Sequence, residues 1–157
     1  MLQQQKTIFC FLCLFPALIL GGCAAGCAAG WTQGLTVPNK CFKFVKDFQP
    51  YLSAMRICQS FHDNATLLVI HSAFENSEYS TDSQANYNSY WIGLNCISNP
   101  YKYTWIDGSP ITYSDWQIGN PSNLPNWYCA YLNTYSTNWW TWDCTVGQMY
   151  ACQYYWY

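Results

Sequence analysis

Between residues 40 and 86, the spacing of apolar residues predicts one strand and two helices. Cys41–Lys46 alternates apolar and polar side chains, which indicates an early strand with one solvated face. Pro50 is typical of the first turn of a helix, and Thr66–His71 is a short β-prone run. Ser72 and Glu75 have the spacing of a capping box, so a second helix is expected to begin there. The apolar residues at helical spacing after Pro50 are Tyr51, Ala54, Met55, Cys58 and Phe61.

From Tyr87 onward the helical spacing disappears, and short runs rich in Trp and Tyr alternate with Gly, Pro, Asn and Asp. Residues 117–138 form a long stretch without periodicity, which is typical of a functional loop. Two helices followed by strands is an α+β pattern in one domain. The predicted strands are Tyr90–Leu94, Tyr101–Ile106, a strand at Cys129–Leu132 and a last one at Gln148–Gln153.

The first 25 residues have the pattern of a secretory signal peptide. One Lys precedes an apolar run of about 14 residues, which is shorter than the roughly 20 residues of a membrane-spanning helix. Cleavage is expected between Gly22 and Gly26, leaving residues 26–157 as the mature, extracellular domain without a membrane span. The alternative for Leu20–Cys23 is a lipoprotein cleavage box.

Composition excludes several classes of function. The net charge is −2 and only 9% of residues are charged, so there is no basic surface for nucleic acid or anionic lipid. The sequence contains no HExxH, no GxSxG and no glycine-rich phosphate loop, so an enzyme is not expected. Aromatic residues are 20% of the chain, which suits a loop-rich fold that packs rings.

The ten cysteines indicate disulfides. Three of them, Cys10, Cys13 and Cys23, are expected to leave with the signal peptide. Seven remain, an odd number, which predicts disulfides and one unpaired thiol because no pair of CxxC motifs suggests zinc. The remaining cysteines are Cys27, Cys41, Cys58, Cys96, Cys129, Cys144 and Cys152.

Several of these motifs together resemble the long form of the C-type lectin-like domain. Trp91–Leu94 is the family's WIGL motif, and Trp105–Gly108 follows it. Cys27–Trp31 and Cys41–Phe44 resemble the extra N-terminal hairpin of the long form. The resemblance implies two helices with antiparallel sheets, a long loop and stapling disulfides. Further matching positions are Ala54, Leu67, Ile70, Tyr113 and Trp116.

The same resemblance implies a disulfide pattern that composition alone leaves open among 15 connectivities. The implied pairs are Cys27 with Cys41, Cys58 with Cys152, and Cys129 with Cys144. Cys96 is then unpaired within the domain and could bridge two chains. The alternative partner for Cys96 is Cys23, if cleavage spares it.

The long loop lacks the acids that sugar-binding relatives use to hold calcium. Those relatives carry Glu-Pro-Asn or Gln-Pro-Asp, an acid two residues before the next Cys, and Asn-Asp before the one after. The matching positions here are Asn120–Ser122, Trp127 and Trp140-Thr141, and no Asp or Glu lies between Asp115 and Asp143. Shifting the alignment by one residue would bring in Asp143 alone. Calcium needs several mostly charged oxygen ligands, so no metal or other cofactor is expected.

A site without metal is the hypothesis for this loop. Neutral side chains would hydrogen-bond sugar hydroxyls while an indole ring packs on a sugar's C–H face. The candidate ligand-binding residues are Asn120, Ser122, Asn123, Asn126, Trp127 and Trp140. The alternative is that Trp127, Trp139, Trp140 and Trp142 are core residues.

Other polar residues have simpler interpretations. Asn64-Ala-Thr66 is a glycosylation sequon in a predicted helix-to-strand turn. His62 and His71 are expected to be structural or solvated. Glu75, Glu78 and Asp82 are expected to form a solvated helix face.

Three functions are consistent with the sequence. The first is a secreted module that recognises a glycan or another surface ligand without calcium. The second is a protein-interaction or structural domain of the same fold, with no sugar binding. The third is a residual calcium-dependent lectin.

Overall fold

The computed structural model describes residues 26–156, which form two helices and eight strands. The predicted signal peptide, residues 1–25, lies outside the described residues. The α+β prediction is confirmed. The elements are β1 (Thr32–Gln33), β2 (Lys40–Gln49), α1 (Tyr51–Phe61), β3 (Thr66–Leu67), α2 (Ala73–Thr81), β4 (Ser89–Asn95), β5 (Thr104–Trp105), β6 (Cys129–Asn133), β7 (Trp139–Trp142) and β8 (Gln148–Tyr155).

The strands form one sheet in the order β1-β2-β8-β4-β6-β7, with β3 added to β8 and β5 added to β4. All pairs are antiparallel except β4 and β8, where Tyr90 lies opposite Met149 and Trp91 opposite Tyr150. The parallel pair corrects the expectation of antiparallel sheets. It is possible because the long loop and the β6–β7 hairpin supply the long connection that parallel neighbours need.

Strand β7 was not predicted from the sequence. Its alternation is regular in the structure, since Trp139 and Thr141 are buried while Trp140 is half-buried and Trp142 is exposed. Three of its four residues are Trp, so the hydrophobic pattern hides which face is buried.

Helix α1 follows the predicted spacing, with Tyr51, Ala54 and Cys58 buried. Phe61 differs, because its side chain at the helix end is 41% exposed. Helix α2 begins as predicted, with the Ser72 hydroxyl accepting from Glu75 N at 3.2 Å. The other half of the capping box is replaced, since the Glu75 carboxylate accepts from His71 N instead.

The prediction that Glu75 is solvated is wrong. Glu75 is 2% exposed and pairs with the fully buried Lys40 at 2.7 Å. Lys40 Nζ also donates to Val69 O, and Tyr79 OH donates to the Glu75 carboxylate at 3.1 Å. The partner lies 35 residues earlier, on β2, where the local pattern around α2 gives no sign of it.

Burial and charge oppose each other in this pair. Burial acts to raise the pKa of Glu75, but the charge and hydrogen bond of Lys40 outweigh it, so that pKa lies below its ordinary value. Burial lowers the pKa of Lys40, and Glu75 offsets only part of that effect. Both groups are hydrogen-bonded and adjacent, so the ion pair fastens α2 to β2.

Within the described part of the chain three disulfides staple the fold, and they are the pairs that the resemblance implies: Cys27–Cys41, Cys58–Cys152 and Cys129–Cys144. The second joins α1 to β8 across a sequence separation of 94. In the chain-entropy model a closure of that length stabilises the folded state by about 4 to 5 kcal/mol.

Cys96, directly after β4, is 2% exposed and has no disulfide partner among residues 26–156. Its backbone N–H donates to Tyr128 O at 2.8 Å, which fixes this segment against the end of the long loop. A thiol buried to this degree is not positioned to meet a second chain, so the geometry argues against a bridge between two chains through Cys96. The alternative partner, Cys23, lies outside the described residues.

Candidate functional site

The long loop, residues 106–128, is held against β7 by backbone hydrogen bonds and rings. Trp139 N donates to Asp115 O at 2.7 Å, and Gln117 N donates to Trp139 O at 2.9 Å. The Trp116 ring meets the Trp139 ring edge to face at 5.8 Å. The buried Trp139 Nε1 donates to Asn76 Oδ1 at 2.8 Å. The base of the loop is therefore part of the folded core.

Asn120, Ser122 and Thr141 form one hydrogen-bonded group, named here the Thr141 cluster. Asn120 Oδ1 accepts from Thr141 N at 2.9 Å and from Thr141 Oγ1 at 2.8 Å. Ser122 N donates to Thr141 Oγ1 at 3.0 Å. Thr141 is fully buried, and all three residues are uncharged. The oxygens of Asn120 and Thr141 thus already serve the loop's own structure.

The two acids that flank the uncharged stretch of residues 116–142 bind other groups. Asp115 accepts from the side-chain amides of Asn76 at 3.1 Å and Asn138 at 3.2 Å. Asp143 accepts from the backbone N–H and hydroxyl of Thr145, both at 2.8 Å, and these bonds lower the pKa of Asp143. Over residues 26–156, no three His, Cys, Asp or Glu side chains are grouped as a metal site.

The predicted ligand-binding residues do not form one group. Trp140 and Thr141 are consecutive in β7, so their side chains lie on opposite faces of the sheet. Trp140 stacks on Tyr131, at 6.4 Å between ring centroids and 6° between ring planes. The Trp140 side chain therefore lies on the opposite face of β7 from the Thr141 side chain, which bonds Asn120 and Ser122, and a role of the six residues in ligand binding stays a prediction. The grouping depended on strand register, which the sequence did not show.

Trp127 lies at the surface with Trp142. Their ring centroids are 4.4 Å apart, and Trp142 is 38% exposed. Asn123 and Asn126, on the same loop, are exposed. Of the four Trp residues of this region, Trp139 belongs to the core, while the other three are only partly covered or exposed.

The remaining candidates have clear positions. Asn64 is exposed in the turn between α1 and β3, where a glycan can be accommodated. His62 stacks on Tyr154 at 3.8 Å, and His71 lies 6.2 Å from the Trp105 ring, so both have packing contacts. Glu78 accepts from the backbone N–H groups of Leu35 and Thr36.

A cleft of about 450 Å³ lies between the C-terminal end of α2 and the β6–β7 turn, and the sequence did not point to it. Two highly exposed tyrosines line it: Tyr87 is 76% exposed and Tyr135 is 77% exposed. Each tyrosine is flanked by Asn, Ser or Thr, a local signal of exposure that could have drawn attention to it. We call this the α2 cleft; its other lining residues include Ser80, Asp82, Asn86 and Thr137.

Fold, disulfides and loop together define a C-type lectin-like domain. The family described as Lectin C-type domain matches residues 49–154. The chain belongs to this family.

Relatives and solved structures agree with that assignment. Human C-type lectin domain family 17, member A is 30% identical over 99 residues, which cover 63% of this chain and 25% of that protein. The C-type lectin lectoxin-Phi1 of Philodryas olfersii is 28% identical over 119 residues, or 73% of this chain and 76% of the relative. The mouse scavenger receptor C-type lectin carbohydrate-recognition domain superposes with a TM-score of 0.73 at 26% identity, covering 83% of this chain and 98% of that one.

Proposed function

We propose that this protein is a secreted binding module that recognises a glycan or another surface ligand without calcium and without catalysis. The Thr141 cluster is the observation that carries the proposal. It lies at the positions that resemble the calcium ligands of sugar-binding relatives, and its residues are neutral and bonded to one another.

The chemistry of the cluster disfavours an ion. Calcium binds oxygen ligands of which several are usually carboxylates, and residues 116–142 contain no acid. An ion at Asn120 would have to displace the hydrogen bonds of Thr141 and leave water for neutral oxygens only. Loss of those bonds would in turn release the loop from β7.

Secretion is supported by the signal-peptide pattern of residues 1–25 and by the three disulfides, which persist in oxidising compartments. Within residues 26–156 no helix is long and apolar enough to cross a membrane. We include N-glycosylation at Asn64 in the proposal, because its side chain is exposed in a turn.

A protein ligand is the second candidate. The long loop exposes three large apolar residues, Ile111 at 43%, Ile118 at 94% and Leu124 at 50%. Exposed apolar side chains on a loop whose base is fixed are suited to contact another protein. In this case no sugar would be bound.

A glycan array probed with and without chelator tests the proposal. Glycan binding that persists in chelator is expected. Binding that disappears in chelator and returns with calcium would identify a calcium-dependent lectin and contradict the proposal. An array with no binding at all would favour the protein-ligand alternative.

Thermal unfolding provides an independent readout. A native-state ligand at 100 times its Kd stabilises by about 2.7 kcal/mol, which shifts the midpoint by a few degrees. We expect no shift with millimolar calcium, and the same midpoint in chelator. A calcium-dependent shift that Asn120→Ala abolishes would contradict the proposal.

A further inference from the structure

We propose that the α2 cleft binds a neutral sugar unit and is the protein's glycan site. This inference rests on the proposed glycan recognition and assigns it to a surface outside the long loop, lined by the end of α2, the segment before β4 and the β6–β7 turn. Four features of the cleft support it: fixed walls, exposed aromatic rings, a buried hydroxyl without a partner, and the absence of a basic group.

The walls of the cleft are fixed to each other. Thr134 donates through both N and Oγ1 to Asn88 O, each at 2.9 Å, which joins the β6–β7 turn to the segment before β4. Asn76 Nδ2 of α2 donates to Thr137 O at 2.7 Å, which joins α2 to the same turn. The concave shape is therefore held by the fold in the absence of a ligand.

The rings of Tyr87 and Tyr135 stand at the rim. Their centroids are 6.2 Å apart with 66° between the ring planes, so they present differently oriented surfaces to the cleft. Each side chain is more than three quarters exposed. A tyrosine ring can cover the C–H face of a sugar while its hydroxyl bonds a neighbouring group, at low entropy cost.

Ser80 gives the second, independent indication of a ligand. Ser80 lines the cleft at 6% exposure, and its hydroxyl oxygen, which is itself shielded from solvent, has no hydrogen-bond partner among residues 26–156. Buried polar groups nearly always have a partner, so an orphan hydroxyl in the wall of a cleft calls for one. The Ser136 hydroxyl, between Tyr135 and Thr137, is also buried without a hydrogen-bond partner among the described residues.

Three residues of the cleft are held in left-handed backbone conformations. Asn86 has φ 47°, Tyr87 has φ 54° and Thr137 has φ 64°. Non-glycine residues adopt this conformation at a cost, and such positions concentrate at functional sites. The conformation also sets the direction in which the Tyr87 ring leaves the chain.

The charge and size of the cleft define the ligand class. Among its described lining residues none is basic, and Asp82 is acidic, so anionic sugars are disfavoured. Hydroxyl and amide groups on Ser80, Asn86 and Thr137 match the hydroxyls of a neutral sugar. A volume of about 450 Å³ is within the range of small-ligand pockets and suits one or two sugar rings.

The test is a titration of the full secreted chain with lactose, cellobiose, chitobiose and methyl α-mannoside, followed by saturation-transfer NMR, together with the glycan array. Tyr87→Ala and Tyr135→Ala should each weaken binding roughly five- to tenfold, the scale of a lost aromatic contact. Tyr101→Ala is the matched control, because Tyr101 is also exposed, at 61%, and does not line the cleft.

Ser80→Ala separates binding from folding. Removing an orphan hydroxyl should leave the unfolding midpoint unchanged or higher, while sugar binding weakens. If the tyrosine and Ser80 variants bind as wild type and Trp127→Ala abolishes binding, the cleft assignment is overturned and glycan recognition by the long loop stands. If neither the sugars nor the array shows any binding, glycan recognition and the cleft assignment both fail, and the protein-ligand alternative is favoured.

Discussion

Thr141 lies at the centre of the hydrogen bonds that hold the long loop against β7. Its hydroxyl donates to Asn120 and accepts from Ser122, while its backbone N–H also bonds Asn120. A single buried hydroxyl can use both of its capacities in this way, as donor and as acceptor. Thr141 therefore has a structural role: it holds the long loop against β7.

Thr141→Val should destabilise the domain by about 1 to 3 kcal/mol. The substitution keeps the shape but leaves Asn120 Oδ1 with one bond fewer and Ser122 N without its partner. Urea unfolding measures the effect. Thr36→Val, at an exposed threonine, is the control and should change stability by less than about 0.5 kcal/mol. If the two substitutions lowered the free energy of unfolding equally, the role assigned to Thr141 would be contradicted. Calcium should not change the free energy of unfolding of either variant.

Cys96 should be unreactive in the native protein. Its 2% exposure keeps thiol reagents out, and unfolding should release it. When the protein is unfolded without reductant, titration should find one more free thiol per chain in the wild type than in Cys96→Ser. Non-reducing electrophoresis should show the same monomer for both; a dimer lost in Cys96→Ser would show that the thiol reaches another chain.

At the scale of elements, β4 packs closely at Gly93 against the chain segments that contain Leu68 and Ile106. Gly93 N donates to Leu68 O and its carbonyl accepts from Ile106 N, both at 2.7 Å. A Cβ at this position would lie 2.8 Å from Ile106 Cγ2 and 3.1 Å from Leu67 O. The glycine of the WIGL motif is therefore needed for close approach of three chain segments.

Gly93→Ala should destabilise the fold by roughly 1 to 3 kcal/mol, because the added methyl group must displace backbone as well as Ile106. Gly147→Ala is the matched control, since a Cβ there meets Phe48 only at ordinary contact distance, 3.5 Å. Thermal unfolding of the two variants provides the comparison. A Gly93 variant as stable as the Gly147 variant would show that the segments can separate without cost.

The sequence predicts elements well where one residue type marks one face. The spacing of Tyr51, Ala54 and Cys58 predicted the buried face of α1, as observed. It could not predict β7, where Trp occupies both faces. The resemblance located Asn120 and Ser122, but their bonds to Thr141 span 21 and 19 residues and depend on loop conformation.

The α2 cleft could not be predicted from the sequence either. Its walls come from the end of α2, the segment before β4 and the β6–β7 turn, and the bond between Thr134 and Asn88 joins residues 46 apart. No local sequence pattern predicts that these three segments come into contact. The face of β7 that carries Trp140 could not be predicted for a related reason, since only the pairing of β6 with β7 reveals it.

At the scale of the whole molecule, the buried Lys40–Glu75 pair should make stability fall in acid. The pKa of Glu75 is below its ordinary value of 4.5 in the folded state, so the unfolded state takes up protons first. The contribution of the Glu75 carboxylate to the free energy of unfolding is fully present above about pH 4.5. It is lost as the pH falls through the pKa of Glu75 in the folded state. The unfolding midpoint between pH 6 and pH 2 measures this loss.

Variants of the pair isolate its contribution. Glu75→Gln alone should cost about 3 to 5 kcal/mol, because it leaves the Lys40 charge buried without an opposite charge. Combining it with Lys40→Met should restore most of that loss and flatten the acid dependence. A double variant with the wild-type slope below pH 4.5 would assign the acid sensitivity to other carboxyl groups.

The disulfides also determine how the domain would respond to mechanical force applied at its two ends. Tension applied at residues 26 and 156 passes from Cys27 to Cys41 and from Cys58 to Cys152, because those bonds bypass the chain between them, β1 included. Only β2, α1 and the last few residues of β8 can then be pulled out, and the stretch from Cys41 to Cys58 lengthens by at most about 60 Å when fully extended. The long loop and the α2 cleft both lie between Cys58 and Cys152, so they remain outside the path of tension and cannot be extended while that disulfide is intact.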